Sequence, residues 1–141
     1  MTFQIADERD ESRYAAYVDG RPIGYAEWIL VHKTILLPYL EVEPDYHDKG
    51  IGSMLLHRIL GDAREEGHTL LPLCPFAHRW TELHPEYDGI ARAPLPGELA
   101  AVQAALATAR ERRRAWGLST EPSPRPEPAW PAPRKTPSQL R

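Results

Sequence analysis

The first half of the chain alternates apolar and polar positions in short runs, which is the pattern of half-buried β-strands. The run at 14–31 is rich in Tyr, Val and Ile and is divided by the pair Asp19-Gly20, so it predicts a β-hairpin. A further alternating run at 33–44 predicts another strand. Pro38 interrupts this run, which favours an edge position, a bulge or a splay from the neighbouring strand.

The pattern changes to a helical period after a glycine-rich turn. The positions that recur at spacings of three and four are Ile51, Leu55, Leu56, Ile59, Leu60 and Ala63. They predict a helix from about Ile51 to Glu66 that ends at a Gly67 cap. A short apolar strand at 68–76 and one or two helical turns at 77–83 are predicted next. The order strand, glycine turn, helix, strand indicates a βαβ-like unit inside a mixed sheet, and hence an α+β domain.

The last third of the chain has a different character. A linker at 91–97 leads to a predicted helix at 98–116, and Leu118 to Arg141 is dominated by Pro, Ser and charge. The apolar stripe of that helix is predicted to comprise Leu99, Val102, Leu106, Ala109 and Arg113. The stripe packs either on the chain's own sheet or against a second copy, as in a homodimer. We expect a domain at 1–90, a linker and helix at 91–117, and a disordered Pro-rich tail at 118–141.

Composition narrows the class of protein. The chain has 141 residues, a formal net charge of −3 and a single cysteine, Cys74. These values favour one modest domain in a reducing compartment and give no indication of a nucleic-acid partner. Neither a signal peptide nor a membrane-spanning run is evident, so we expect a cytoplasmic protein that is not associated with a membrane. Residues 110–114 read RERRR, which is either a solvated helix end or a contact for RNA or an acidic partner.

The turn before the first predicted helix offers a candidate anion site. A phosphate-binding P-loop is excluded because Met54 and Leu55 follow Ser53, and Leu55 also weakens a dinucleotide fingerprint. A loop for acyl-CoA, of the form Arg/Gln-x-x-Gly-x-Gly/Ala, fits both glycine positions and departs only at its first residue. The candidate binding residues are His47, Asp48, Lys49, Gly50, Ile51, Gly52 and Ser53. An ordinary tight turn is the alternative.

This loop resembles motif A of the GNAT superfamily of N-acetyltransferases. Two further stretches, PLCPF at 72–76 and HPEY at 84–87, are similar to the signature of a small YjdJ-type subfamily of single-domain GNAT proteins. The resemblance covers residues 14–88. It implies a mixed, mostly antiparallel central sheet with flanking helices, and acetyl-CoA-dependent transfer of an acetyl group to a small-molecule or protein-borne amine. A non-catalytic acyl-CoA sensor or interaction module is the alternative.

The resemblance also implies how the donor binds. The pantetheine arm would lie along the strand at 39–43, near the backbone of Leu40 and Val42, with its pyrophosphate on the loop. Tyr39 and Leu40 occupy positions at which relatives carry a His-Thr pair. The absence of that histidine favours the non-catalytic alternative and leaves the base to be found elsewhere.

Three residues are candidates for catalysis. Cys74 is either a thiol near the thioester or a small buried side chain, Glu41 is either a base or part of a solvated sheet face, and Tyr87 is either a proton donor to sulfur or a packing residue. Cys74 with His78 and His84 lacks the spacing of a metal site, so no metal is expected.

Overall fold

The computed structural model describes residues 2–118, and the predicted Pro-rich tail lies outside this range except for Leu118. The strands and helices, which short 3-10 turns connect, are β1 (Phe3–Glu8), β2 (Arg13–Val18), β3 (Arg21–Val31), β4 (Thr34–Val42), α1 (Ile51–Glu66), β5 (Thr69–Pro72), α2 (Pro75–Glu82) and α3 (Leu99–Ala115). None of these helices combines the length and the apolar character needed to cross a bilayer.

The five strands form one sheet in the order β1-β2-β3-β4-β5. The first four strands pair antiparallel, and β5 pairs parallel with β4. The fold class, mixed and mostly antiparallel with flanking helices, is therefore confirmed. Asp19 and Gly20 have φ values of 49° and 83°, the positive angles of a type I′ hairpin turn, as predicted between β2 and β3. Strand β1 was not predicted.

Pro38 lies at a bulge in β4 that changes which side chains face each helix layer. Glu27 pairs with Tyr39 and Ile29 with Leu36, so two residues of β4 oppose one residue of β3. An extra residue reverses the alternation beyond it. Tyr39 and Glu41 therefore lie on the same sheet face as Leu36, the face that carries α3.

Helix α1 fills the other face of the sheet, and its limits are those predicted. All six residues of its predicted apolar stripe are at most 1% exposed. Gly67 ends the helix with a φ of 74°, in the left-handed region that favours glycine at a C-cap. The α1 stripe and the central strands form the main hydrophobic core.

Helix α3 packs on its own chain's sheet. Val102 and Ala105 form a second buried cluster with Leu36 and Leu71. The predicted stripe was partly wrong, because Leu99 is 53% exposed while Ala105, which was not predicted, is buried. The buried positions 102, 105, 109 and 113 follow spacings of three and four, so they form a single face.

Candidate functional site

Strands β4 and β5 part in the middle of the sheet, and this fork is the centre of the candidate site. Their pairing ends at Leu37 opposite Pro72. Beyond it, the backbone N–H groups of Leu73 and Cys74 both donate to the Leu37 carbonyl, at 3.1 and 3.2 Å. Strand β4 continues to Val42, whereas the segment that follows β5 turns into α2. The predicted splay beside Pro38 is therefore present, and the end of β4 and the start of α2 form its two arms.

The glycine loop lies directly after β4 and ends at the N-terminus of α1. Gly50 precedes the helix with a φ of 79°, which an L side chain adopts only with strain. The first i→i−4 bond is donated by Met54 to the Gly50 carbonyl, so the N–H groups of the preceding turn point out of the helix end. That turn carries no acidic residue and no side-chain cap. Such a helix end favours an anion.

The three residues before Gly50 differ in their surroundings. His47 Nε2 donates a hydrogen bond of 2.7 Å to the Val42 carbonyl, so this side chain joins the loop to the end of β4. Asp48 is exposed and Lys49 is half-buried. The first residue of the loop thus holds the strand end in place, and Lys49 is the positive charge next to the helix end.

Gly52 and Ser53 contact α2 rather than solvent. A Cβ added at Gly52 would lie 2.6 Å from Cζ of Phe76. The lack of a side chain at Gly52 therefore serves the close approach of an aromatic ring. The Ser53 hydroxyl accepts a hydrogen bond of 3.1 Å from Nε1 of the fully buried Trp80. Through these two contacts the PLCPF segment and α2 are packed against the loop.

Cys74 occupies the N-cap of α2. Its Sγ accepts a hydrogen bond of 3.4 Å from the Ala77 N–H, and Pro75 takes the first helical position, where a missing N–H costs nothing. The residue is 1% exposed and in the reduced form.

Tyr87 lies on the outer side of α1. Its hydroxyl bonds to Nδ1 of His57 at 2.8 Å, and the Arg64 guanidinium lies over its ring at 5.3 Å. His84 stacks on Trp80 with ring centroids 3.6 Å apart, and its Nδ1 donates to the Trp80 carbonyl. The HPEY segment is thus connected to the loop through Trp80 and Ser53.

Glu41 faces α3, where it takes part in a buried ionic triad with Glu27 and Arg113. Arg113 Nη2 donates to Glu41 Oε1 at 2.7 Å, and Arg113 Nη1 donates to Glu27 Oε2. The side chains of Arg113 and Glu27 are 1% and 4% exposed, whereas that of Glu41 is 38% exposed. Burial raises the pKa of Glu27, although the nearby Arg113 and Arg112 charges oppose the shift.

The structure divides the predicted site residues among three places. The backbone of Leu40 and Val42, the loop and Cys74 surround the fork. Glu41 belongs to the triad on the α3 face, and Tyr87 belongs to the His57 cluster on α1. Three side chains that support these places were not predicted as site residues: Phe76, Trp80 and Glu27. Phe76, the last residue of PLCPF, and Trp80 are four residues apart, a helical spacing from which their shared face could have been predicted. No sequence pattern marks Glu27 as a site residue.

No group of three or more His, Cys, Asp or Glu side chains in residues 2–118 is arranged to hold a metal ion.

A comparison with one solved structure agrees with this fold. A GCN5-like protein from Staphylococcus aureus superposes with a TM-score of 0.54 at 18% identity, over 66% of this chain and 91% of that one. The ribosomal-protein-S18-alanine N-acetyltransferase from Escherichia coli matches at 24% identity and a TM-score of 0.40, over 41% of this chain. The chain covers only 38% of the length of that enzyme.

No curated protein matches the chain by sequence. The family model of the GCN5-related N-acetyl-transferases matches residues 13–90, from the start of β2 to just beyond the HPEY segment. This segment holds the fork, the glycine loop, Cys74 and Tyr87, and it covers more than half of the chain. The protein therefore belongs to the GCN5-related N-acetyl-transferase family.

Proposed function

We propose that the protein is an acetyl-CoA-dependent N-acetyltransferase of the small YjdJ-type subfamily, acting on an amine. The observation that carries the proposal is the meeting of three sequence motifs at one helix end. Gly52 of the loop touches Phe76 of PLCPF, Ser53 bonds to Trp80, and Trp80 stacks on His84 of HPEY. Motifs that are distant in sequence but meet at a helix terminus that favours anions are typical of a ligand-binding site.

In this proposal the loop binds the pyrophosphate of CoA. The N–H groups at the start of α1 and the Lys49 ammonium supply donors and positive charge. The Phe76 ring fills the space next to Gly52 on the side that faces α2. The phosphates would therefore approach the loop from its opposite side. His47 keeps the end of β4 next to the loop through its bond to the Val42 carbonyl. The pantetheine arm would then follow Leu40 to Val42 along the fork.

The acetyl group supplied by the thioester would lie in the fork. Glu41, which is part-exposed, is proposed as the base that removes a proton from the acceptor ammonium. Cys74 would lie beside the thioester at the N-terminus of α2. Tyr87, whose hydroxyl is held by His57, is proposed to return a proton to the departing sulfur.

The first test is calorimetric titration of the full chain with CoA and with acetyl-CoA. Lys49→Glu should weaken binding about tenfold or more, because it removes a charge-assisted contact worth about 1.5–3 kcal/mol and adds repulsion. Lys33→Glu is the matched control: it makes the same charge change in the β3–β4 turn, about 26 Å away along β4. Equal affinities in the two variants would contradict the loop assignment.

The second test concerns Cys74. Intact-mass analysis after incubation with acetyl-CoA shows whether the thiol takes up one acetyl group. An acetylated wild type and an unmodified Cys74→Ala would support transfer through the thiol. Unmodified wild type with full acetyl transfer to an amine would assign Cys74 to packing and to the cap of α2. Binding of CoA without transfer to any amine would favour the non-catalytic alternative.

A further inference from the structure

The triad of Glu27, Glu41 and Arg113 has the composition of a cation-binding site. Two carboxylates on neighbouring strands bind one guanidinium through different nitrogens, and the Tyr39 ring lies 4.3 Å from the guanidinium carbon. Carboxylate pairs combined with an aromatic face are a common way to bind an ammonium or guanidinium ion. The cation in this structure comes from the protein's own C-terminal helix.

The charges in the triad do not balance, and one acceptor is unused. Two carboxylates face one guanidinium, and the remaining charge of −1 is partly offset by the nearby charge of Arg112. Oε1 of Glu27 is buried and has no hydrogen-bond partner within the part of the chain that the structure describes. A buried acceptor without a donor is costly, about 1–3 kcal/mol, and a cation that fits beside both carboxylates can bond it. The Arg113 guanidinium holds its five N–H donors in a fixed plane, whereas the three donors of an alkylammonium can rotate toward the unused oxygen.

The helix that supplies Arg113 is lightly attached. Its other buried side chains are Val102, Ala105 and Ala109, which are small. The family model ends at residue 90, before α3 begins at Leu99. The ionic contact of Arg113 is therefore one of the contacts that hold α3 against β3 and β4, beside the second buried cluster and the bond from Arg112 Nη2 to the Trp28 carbonyl.

We propose that Glu27, Glu41 and Tyr39 form the acceptor's cation site and that Arg113 occupies this site until an aliphatic ammonium displaces it. The inference rests on the proposed function and names the acceptor class, an aliphatic amine bound in its protonated form. Glu41 takes one proton from the bound ammonium. The nitrogen lone pair then forms a C–N bond to the thioester carbonyl, the C–S bond breaks, and the nitrogen loses its second proton as the released thiolate gains one.

Chemical rescue tests the cation site without reference to activity. Arg113→Ala should lose thermal stability and regain several degrees of Tm with millimolar guanidinium chloride, relative to sodium chloride at equal ionic strength. Arg110→Ala is the matched control, since it removes an exposed arginine from the same helix and should show no rescue. Absence of rescue in a folded Arg113→Ala overturns the proposal.

The wild type provides a second measurement that does not depend on the variant folding. n-Butylammonium should accelerate hydrogen exchange of the α3 amides relative to sodium ions, because displacement of Arg113 loosens the helix. Unchanged α3 exchange at saturating amine overturns the proposal.

Kinetics connect the site to the acceptor. Arg113→Ala should lower the KM for n-butylamine about tenfold, because the competing occupant is removed, and should leave the KM for the neutral amine aniline unchanged. Equal changes for the two amines overturn the acceptor assignment. Failure of the chain to bind CoA would contradict the proposed function. The rescue of Arg113→Ala by guanidinium does not depend on CoA, so it tests the cation site separately.

Discussion

At the scale of single residues, the two glycines of the loop have different physical roles. Gly50 is required by its backbone angle, while Gly52 is required by the Phe76 ring that lies against it. The sequence motif alone suggests that both glycines let a phosphate approach. The structure shows that Gly52 links the loop to α2, so any change there affects the packing of the site as well as its anion contacts.

Gly52→Ala is therefore expected to destabilise the fold by about 1–3 kcal/mol, the usual cost of overpacking. The control is Gly61→Ala in the same helix, where a Cβ would meet nothing within 4 Å. That change should stabilise the protein by about 0.5–1 kcal/mol, because alanine is the better helix former. Urea unfolding of both variants gives the comparison. Combining Gly52→Ala with Phe76→Leu should reduce the penalty, and a penalty that is unchanged would mean that the ring contact is not its source.

Glu8 provides a prediction about pH. Burial would raise its pKa, but hydrogen bonds from Tyr17 and Arg13 outweigh that effect and hold the pKa below its ordinary value of 4.5. The folded state therefore binds this proton less readily than the unfolded chain. The resulting stability is fully present above pH 4.5 and is lost as the pH falls through the lower folded value. In acid unfolding, Glu8→Gln should show a shallower loss of stability below pH 4.5 than the wild type. If the stability of the two proteins fell equally with pH, Glu8 would not contribute to the acid sensitivity of the fold.

At the scale of elements, the parts of the fold that follow from local patterns were predictable. Helix α1 and its Gly67 cap follow from apolar spacing, and the β2–β3 hairpin follows from Asp19-Gly20. Strand β1 was missed because it lies at the sheet edge, so its side chains are mostly half-buried and its apolar pattern is weak.

The position of Arg113 was harder to predict for a different reason. Its place in the α3 stripe was visible, but a run of arginines at a helix end usually faces solvent. Its partners Glu27 and Glu41 lie 86 and 72 residues earlier. The bulge at Pro38 is what turns Glu41 toward α3, and a bulge of one residue leaves no pattern that fixes its register. The glycine loop and the helix that follows it were thus easier to predict than the charge partners of Arg113.

The docking of α3 depends on small side chains against the sheet. Ala109 is fully buried, so Ala109→Leu should overpack this interface and loosen the helix, at a cost of about 1–3 kcal/mol. Ala107→Leu adds the same side chain at an exposed position of the same helix and should have little effect. Circular dichroism during thermal unfolding, with hydrogen exchange of α3, compares the two. Similar behaviour of both variants would mean that α3 is not docked through this face.

At the scale of the whole molecule, the sheet separates two helical layers that differ in how many large apolar side chains they bury. On one face, α1 buries six apolar side chains in the main core, and α2 is fixed to it by Trp80 and Phe76. On the other face, α3 contributes small residues and one arginine. The family-matched segment, 13–90, carries the strong layer and the fork, whereas α3 adds a cover over the sheet face that presents Glu41.

This asymmetry predicts the order in which the molecule opens. Native-state hydrogen exchange should show α3 amides exchanging through a local opening, faster than the amides of α1 and of the central strands β3 and β4, which need global unfolding. Bound acetyl-CoA should slow exchange at the start of α1 and leave the end of that helix unchanged, because the proposed pyrophosphate site includes only the N-terminal end of α1. The Arg113→Ala variant should accelerate α3 alone. If α3 exchanged as slowly as α1 in the wild type, the helix would be an integral layer of the fold, and an acceptor could not reach Glu27 by displacing it.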